Sequence, residues 1–253
     1  MKHFINIKDV PYKTLRKILL DTKKRKDLRK KLKTLEIDKD NPLKGVLLIQ
    51  MFEKSSLRTR LSFYLAIRQL GGSALTLRPD ELHLSKGGES LSDTAKILST
   101  YGDIFVLRTD NEKKLNSFKK FLSIPLINGL SPNSHPAQIL SDIFTIEEIT
   151  KKNISKLNIC WIGDSNNVLN SLIEASIKFS FKLNIGCPKN YNPPSEMLRM
   201  IKQKSAKIKI FNNPKVAIKN ADVVLTDKVI SMNDKVNKKK KIKDFLNFKI
   251  NSK

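Results

Sequence analysis

The sequence predicts an α/β fold with two open parallel sheets joined by helices. Short continuous apolar runs, such as GVLLIQMF at 45–52, are typical of strands buried on both faces of a parallel sheet. Segments with apolar residues at helical spacing alternate with these runs. Polar side chains follow the ends of successive strands, which is where ligands bind in such sheets. Together these features predict a ligand-binding α/β protein.

The first predicted unit covers residues 1–150 and begins with one or two basic amphipathic helices within 8–35. Their predicted inward residues are Leu15, Ile18, Leu19 and Leu28. The helix after the first strand ends at Gly71-Gly72, because glycine readily adopts the left-handed conformation that caps a helix. The predicted strands are 45–52, 73–77, 103–109 and 124–130, and the later helices are 60–70, 90–101, 112–122 and 136–150.

The second predicted unit covers residues 151–253 and repeats this alternation. The apolar run LNICWIGD follows the polar segment KKNISK and starts a second series of strands and helices. The predicted strands are 157–163, 182–188, 207–211 and 221–226, and the predicted helices are 167–180 and 194–204. Two open α/β units joined near residue 150 therefore account for the whole chain.

The composition is that of a globular and strongly basic protein. Of the 253 residues, 40% are hydrophobic, which is enough for a core, and the formal net charge is +25. A basic surface attracts polyanions, but the lysines are spread between the apolar positions of the predicted helices. The dense runs at 23–33 and 238–243 are therefore predicted to be solvated helix faces, and no dedicated nucleic-acid site is expected.

The two cysteines, Cys160 and Cys187, are too few for a disulfide framework or a four-ligand zinc site. They are predicted to be inert core thiols of a protein in a reducing compartment. No apolar run reaches membrane-spanning length, and the N-terminus lacks the apolar centre of a signal peptide. A cytoplasmic protein without membrane contact is therefore expected.

The stretch FEKSSLRTRLSF at 52–63 concentrates hydrogen-bond donors. Three hydroxyls and two arginines fall between Ser55 and Arg60, immediately before apolar residues at helical spacing. Backbone N–H groups at a helix N-terminus and arginine side chains together bind an oxyanion well, so phosphate or carboxylate is the expected ligand. A capped surface helix with two solvated arginines is the alternative interpretation.

Polar residues lie after most of the other predicted strands as well. Because ligands bind at the carboxyl ends of the strands in open α/β sheets, these residues are candidate ligand-binding residues. They are Arg58, Thr59, Arg108, His135, Gln138, Asp164, Asn167 and Asp227.

Five segments resemble the carbamoyltransferases in order and spacing, and the last two resemble the ornithine branch of that family. They are FEKSSLRTRLSF, HLSKGGESLSDTAKIL, IPLINGLSPNSHPAQILSDIFTI, WIGDSNNVLNSLIEAS and ADVVLTDKVISM. The resemblance implies two Rossmann-like domains, an amino-terminal one for carbamoyl phosphate and a carboxy-terminal one for the amino acid. It also implies a homotrimer with sites between subunits, and arginine metabolism as the setting.

The resemblance also implies roles for individual residues. The implied catalytic residues are Arg58, Arg108 and His135. The implied ligands of carbamoyl phosphate are Ser56, Leu57, Arg58, Thr59, Arg108, His135 and Gln138, with His83 reaching a neighbouring subunit's site. Those of L-ornithine are Asn167, Asp227, Ser231 and Met232. The implied products are L-citrulline and phosphate, and no metal or organic cofactor is expected.

The chain departs from the family pattern at several positions. Leu57 replaces a threonine, which is tolerable if the position contributes its backbone N–H. Lys228 and Asn233 replace a tryptophan and a glycine. The sequence ends before the family's His-Cys-Leu-Pro motif and a later arginine, and neither Cys160 nor Cys187 can take the role of that cysteine.

Three function classes stay open at this point. The first is an ornithine carbamoyltransferase or a relative that uses aspartate, putrescine or acetylornithine. The second is a truncated, inactive chain that binds carbamoyl phosphate, and the third is a basic nucleic-acid-binding protein. Capping roles also stay open: Asn167 for helix 167–180, Asp227 for a helix over 228–236, and Ser90 or Ser92 for helix 90–101.

Overall fold

The computed structural model describes residues 3–79, 88–230 and 237–250. The chain forms two compact units, Met1–Ala137 and Gln138–Lys253. Each unit has its own four-stranded parallel sheet, which confirms the predicted α/β fold. The domain boundary predicted at residue 150 stays a prediction.

The first unit alternates strands and helices as the apolar runs predict. Its elements are α1 (Tyr12–Leu28), β1 (Leu47–Phe52), α2 (Leu57–Gln69), β2 (Ser73–Leu77), α3 (Leu91–Tyr101), β3 (Ile104–Arg108), α4 (Glu112–Phe121) and β4 (Leu126–Leu130). The strand order is β2-β1-β3-β4. Helix α2 ends as predicted, with Gly71 at φ +93°, a conformation that favours glycine.

The second unit contains a sheet of similar design. Helix α5 (Pro136–Thr150) contains the division between the units, and the elements that follow are β5 (Asn158–Ile162), α6 (Asn167–Phe179), β6 (Lys182–Gly186), α7 (Ser195–Gln203), β7 (Ile208–Phe211), α8 (Pro214–Ala217), β8 (Val223–Leu225) and α9 (Lys238–Asp244). The strand order is β7-β6-β5-β8.

Each sheet has a point where successive crossovers turn in opposite directions. In the first sheet β1 lies between β2 and β3, so the switch falls between β1 and β3. In the second sheet β5 lies between β6 and β8, so it falls between β5 and β8. Open α/β sheets bind ligands beyond the carboxyl ends of the strands at such points. The loops after these four strands are therefore where a site belongs.

Apolar side chains fix the sheets against their helices. In the first unit, Phe105 of β3 packs on Phe118 of α4, with ring centroids 5.3 Å apart. In the second unit, Phe245 and Phe248 pack over Cys160 and Ile162 of β5. These layers hold the strand ends, and hence the loops that follow them, in fixed positions.

Some local predictions are wrong. Leu15 and Leu19 of α1 are buried, but Ile18 is 37% and Leu28 is 68% exposed, because the buried stripe of α1 is narrow and does not extend to its last turn. The run 238–243 is not wholly solvated, since Lys241 in α9 is buried. Among the described residues, no helix is long and apolar enough to cross a membrane.

Candidate active site

The corner between β1 and α2 carries the donor-rich stretch. Ser56 occupies the N-cap position of α2, yet its side chain accepts no hydrogen bond from the helix backbone. Its Oγ instead accepts a hydrogen bond from Nη1 of Arg108 at 2.9 Å. The first N–H groups of a helix have no acceptor within the helix, so this corner offers backbone donors together with a guanidinium. The interpretation as a serine-capped surface helix therefore does not describe Ser56.

Arg108 ends β3 and lies beside the last residue of β1, Phe52, in the sheet register. Burial lowers the pKa of its guanidinium. Arginine stays charged all the same, because its pKa starts far above neutrality. Its Nε is buried and has no hydrogen-bond partner within the described part of the chain. Arg108 thus brings a partly desolvated cation to the corner, which favours an anionic ligand.

A network of charged and polar groups fixes the loops after β1 and β3. The Glu53 carboxylate accepts hydrogen bonds from the Thr109 hydroxyl and the Lys114 ammonium. Lys54 pairs with Asp110 at 2.8 Å. The backbone N–H of Glu53 also donates to the Arg108 carbonyl at 3.0 Å. Glu53 and Lys114 were not predicted as site residues, although Glu53 directly follows the predicted strand 45–52.

The remaining residues of the motif lie in the first turn of α2. Leu57 is 68% exposed, which fits a position that acts through its backbone. Arg58 is exposed and forms no ion pair with any described residue. Thr59 is half-buried. The Arg58 guanidinium is therefore accessible to a ligand next to Ser56.

His135 lies between β4 and α5, immediately before Pro136. It is 8% exposed. Hydrogen bonds order the loop that carries it, because Asn128 Nδ2 donates to Ser131 Oγ at 3.2 Å and the Ser131 N–H donates to the Ser134 carbonyl at 2.9 Å. Since β4 is the neighbour of β3, His135 follows a strand end at the same sheet edge as Arg108.

Gln138 lies in the first turn of α5 and belongs to the second compact unit. Its Nε2 donates to Oδ1 of Asp142, one turn further along the helix, at 2.8 Å. Burial raises the pKa of Asp142, the hydrogen bond from Gln138 lowers it, and the negative charge of Asp227 raises it. Asp142 was not predicted, although its four-residue spacing from Gln138 could have indicated it.

The second switch point carries an acid and an amide. Asn166 Nδ2 donates to Oδ2 of Asp227 at 2.8 Å. Asn166 also caps α6, because its Oδ1 accepts from the N–H groups of Val168 and Leu169, each at 3.0 Å. The capping role considered for Asn167 is therefore filled by Asn166, one residue earlier; Asn167 is the first residue of the helix. Asp227 follows the end of β8, as predicted.

An ion pair between a buried lysine and a half-buried aspartate supports the β5–α6 loop. Lys241 of α9 is 2% exposed, and its ammonium pairs with the Asp164 carboxylate. The same ammonium lies 5.8 Å from the ring centroid of Tyr191. The apolar residues Phe245 and Phe248, four and seven positions after Lys241, are buried as well. That helical spacing is the signal from which the burial of Lys241 could have been predicted.

Several predicted site residues lie outside the described residues, namely His83, Ser231 and Met232. The helix considered over 228–236 lies largely outside them too. Ser90, by contrast, caps α3 by accepting a hydrogen bond from the Asp93 N–H at 3.1 Å.

Neither cysteine has the environment of a reactive thiol. Both are buried, and burial raises the pKa of each thiol to about 11, with the Asp164 charge contributing at Cys187. The thiolate is the nucleophilic form, so these residues are unreactive near neutral pH. Over residues 3–79, 88–230 and 237–250, no three His, Cys, Asp or Glu side chains cluster so as to hold a metal ion.

Fold and geometry define a two-unit α/β protein with anion donors at one switch point and an acid–amide pair at the other. Two family models match it. Residues 2–148 match the carbamoyl-P binding domain of aspartate/ornithine carbamoyltransferase, and residues 155–253 match the Asp/Orn binding domain. The chain belongs to the aspartate/ornithine carbamoyltransferase family, which confirms the resemblance found in the sequence.

Individual relatives are named ornithine carbamoyltransferase. The protein of that name from Rhizorhabdus wittichii is 38% identical over 231 residues, which cover 91% of this chain and 74% of the relative. The one from Oleidesulfovibrio alaskensis is 38% identical over 247 residues, 98% of this chain and 79% of the relative. The crystal structure of the anabolic enzyme from Campylobacter jejuni matches with a TM-score of 0.86 at 35% identity and covers 100% of this chain and 81% of that one.

Proposed function

We propose that the chain transfers the carbamoyl group of carbamoyl phosphate to the side-chain amine of L-ornithine, giving L-citrulline and phosphate. The observation that carries the proposal is the α2 corner, where the Ser56 hydroxyl is held by Arg108 and does not cap its helix. Relatives named ornithine carbamoyltransferase support the same reaction.

In this proposal the phosphate binds at the N-terminus of α2. The backbone of Ser56, Leu57 and Thr59 donates to its oxygens, and Arg58 and Arg108 supply positive charge. Leu57 serves this role as well as a threonine does, because its side chain is exposed and its N–H is the functional group.

The reaction needs donors that act as charge develops. The neutral amine of ornithine attacks the carbonyl carbon, so a C–N bond forms and negative charge grows on the carbonyl oxygen. The C–O bond to phosphate then breaks, phosphate departs with the electron pair, and the new nitrogen loses a proton. Arg58, Thr59 and His135 stabilise the carbonyl oxygen, Arg108 stabilises the leaving phosphate, and Gln138 contacts the carbamoyl NH₂.

Asp227 favours ornithine over aspartate. Asn166 holds its carboxylate, and the negative charge of Asp227 also reaches Asp142. The Asp227 carboxylate attracts an ammonium group and repels the additional carboxylate of aspartate. Asn167, Asp227, Ser231 and Met232 hold the amino-acid end of ornithine in this proposal, which leaves its side-chain amine for the reaction.

The proposal extends to organisation and setting. Residues 1–150 form the carbamoyl-phosphate domain and residues 151–253 the ornithine domain. The protein acts in the cytoplasm as a homotrimer, in which His83 completes the site of a neighbouring subunit.

The test is a comparison of amines. The purified chain is incubated with carbamoyl phosphate and, in turn, ornithine, aspartate, putrescine or acetylornithine, and the carbamoylated product and phosphate are measured. We expect citrulline with ornithine and at most traces with the others. Preference for another amine would contradict ornithine specificity, and binding of carbamoyl phosphate without any product would leave the binding-only alternative in its place.

A further inference from the structure

The first turn of α5 contains an amide whose orientation is fixed by its neighbour. Gln138 Nε2 donates to Asp142 Oδ1 at 2.8 Å. An ionised carboxylate can only accept hydrogen bonds, so the amide atom facing Asp142 must be the NH₂ group. The Gln138 carbonyl oxygen, Oε1, is therefore on the other side of the amide.

The surroundings of Asp142 reinforce this orientation. Asp142 is half-buried, and both burial and the nearby Asp227 disfavour its charged form, whereas the Gln138 hydrogen bond stabilises it. Rotating the amide by 180° would place Oε1 against the carboxylate, which is repulsive and removes that stabilisation. The Gln138 side chain is exposed, and this hydrogen bond therefore favours one of its two amide orientations over the other.

The chemistry of carbamoyl phosphate makes this orientation useful. Its carbamoyl NH₂ group carries two donors and needs acceptors, and Gln138 Oε1 is an acceptor. In the opposite orientation Gln138 would present its own NH₂ to the carbamoyl NH₂. Acetyl phosphate has nearly the same shape but a methyl group in place of the NH₂, so it is indifferent to the orientation of the amide.

We propose that Asp142 is a positioning residue that turns Gln138 Oε1 toward the ligand, so that the chain selects carbamoyl phosphate over acetyl phosphate. The inference rests on the proposed function, in which Gln138 contacts the carbamoyl group. It adds a residue that does not itself touch the substrate and assigns it the recognition of the carbamoyl nitrogen.

The test compares two ligands on Asp142→Asn. Asparagine has the size of aspartate but both donates and accepts, so the amide of Gln138 can take either orientation. Dissociation constants are measured by calorimetry for carbamoyl phosphate and acetyl phosphate. The affinity for carbamoyl phosphate is expected to fall about tenfold, the equivalent of one hydrogen bond, with that for acetyl phosphate unchanged within about twofold.

Two further variants separate orientation from structural damage. Asp142→Glu keeps a carboxylate acceptor and is expected to retain the preference for carbamoyl phosphate within about threefold of the wild type. Glu148→Gln removes one negative charge from the same helix and is expected to leave the preference unchanged.

An equal loss for both ligands in Asp142→Asn would overturn the inference, because it would indicate general damage to the site. An unchanged preference would overturn it as well. In both cases the wild type would still bind carbamoyl phosphate, and the proposed function would stand. A wild type that binds neither ligand would overturn the proposed function together with the inference.

Discussion

Each switch point of the fold carries a helix N-terminus, α2 in the first unit and α6 in the second. The two differ in whether the N-cap side chain bonds the helix backbone. At α2 the N-cap residue Ser56 does not cap, and its hydroxyl instead accepts a hydrogen bond from Arg108. At α6 the N-cap residue Asn166 bonds two backbone N–H groups and also donates to Asp227. The first corner therefore keeps its donors available for an anion, whereas the second closes its helix and presents a carboxylate. One topology thus presents helix N-termini of opposite electrostatic character.

Removing the positive charge of Arg108 at the N-terminus of α2 is expected to have the largest effect. Arg108→Met is expected to lower kcat/KM for carbamoyl phosphate by about a thousandfold, because in the proposed reaction it removes the donor that stabilises the leaving phosphate. Steady-state kinetics measure the effect. Lys113→Met, which removes an exposed lysine of α4, is the matched control and is expected to stay within about twofold of the wild type.

The ion pair between Lys241 and Asp164, in the loop before α6, is expected to stabilise the folded state. Lys241→Met leaves the Asp164 carboxylate without its buried partner, so the free energy of unfolding in urea should fall by about 3 kcal/mol. The exposed neighbour provides the control, since Lys240→Met should change stability by less than about 0.5 kcal/mol. Equal effects of the two substitutions would mean that the pair does not support the loop.

The acid of the second corner is expected to act on the amine substrate alone. Asp227→Asn should raise the KM for ornithine by about a hundredfold and leave the affinity for carbamoyl phosphate unchanged. Asp222→Asn makes the same substitution at the amino end of β8, where Asp222 accepts a hydrogen bond from the Asn158 N–H at 2.8 Å. It should leave the KM for ornithine unaffected. A loss of affinity for carbamoyl phosphate in Asp227→Asn would contradict the expectation that each corner binds a different substrate.

The raised pKa of Asp142 predicts a pH-dependent effect on stability. The folded state disfavours the charged form of Asp142. The protonated side chain therefore contributes stability at low pH, and this contribution is lost as the pH rises through the folded-state pKa. Asp142→Asn should therefore gain stability relative to the wild type as the pH rises from about 4 to 7. Urea midpoints measured over that range test the sign.

Asp93 provides the opposite case for this measurement. The Ser90 hydroxyl, and then Lys96, lower the pKa of the Asp93 carboxyl. Asp93→Asn should accordingly lose a little stability over the same pH range, and two variants that shift in the same direction would contradict the electrostatic explanation.

The smallest expected effect concerns the departure at Leu57. If this position acts through its backbone, Leu57→Thr should change kcat/KM by less than about threefold, because both residues supply an N–H. Leu57→Pro removes that N–H and should lower kcat/KM by more than Leu57→Thr does, because the phosphate group loses a backbone donor. Equal kcat/KM values for the two variants would show that the N–H is not used.

The sequence predicted the sheets and the position of both corners because these depend on periodic apolar runs and on residues that follow them directly. The sequence could not predict whether Asn166 or Asn167 caps α6. The two asparagines are adjacent, and the exact start of a helix depends on backbone angles, which are extended at Asn166 and helical from Asn167 onward. The prediction from sequence also treated the lysines at 238–243 alike. The helical spacing of Lys241 from Phe245 and Phe248 could have indicated its burial, but no local pattern indicates its partner Asp164, which the packing of α9 brings to it.

The central claim is that the N-terminus of α2 is the anion-binding corner, and the binding of carbamoyl phosphate to Arg58→Ala tests it most directly. Calorimetry measures binding without requiring turnover. The claim predicts that Arg58→Ala loses at least about a hundredfold in affinity while Asp227→Asn binds carbamoyl phosphate like the wild type. Unchanged affinity in Arg58→Ala, or an equal loss in both variants, would contradict it.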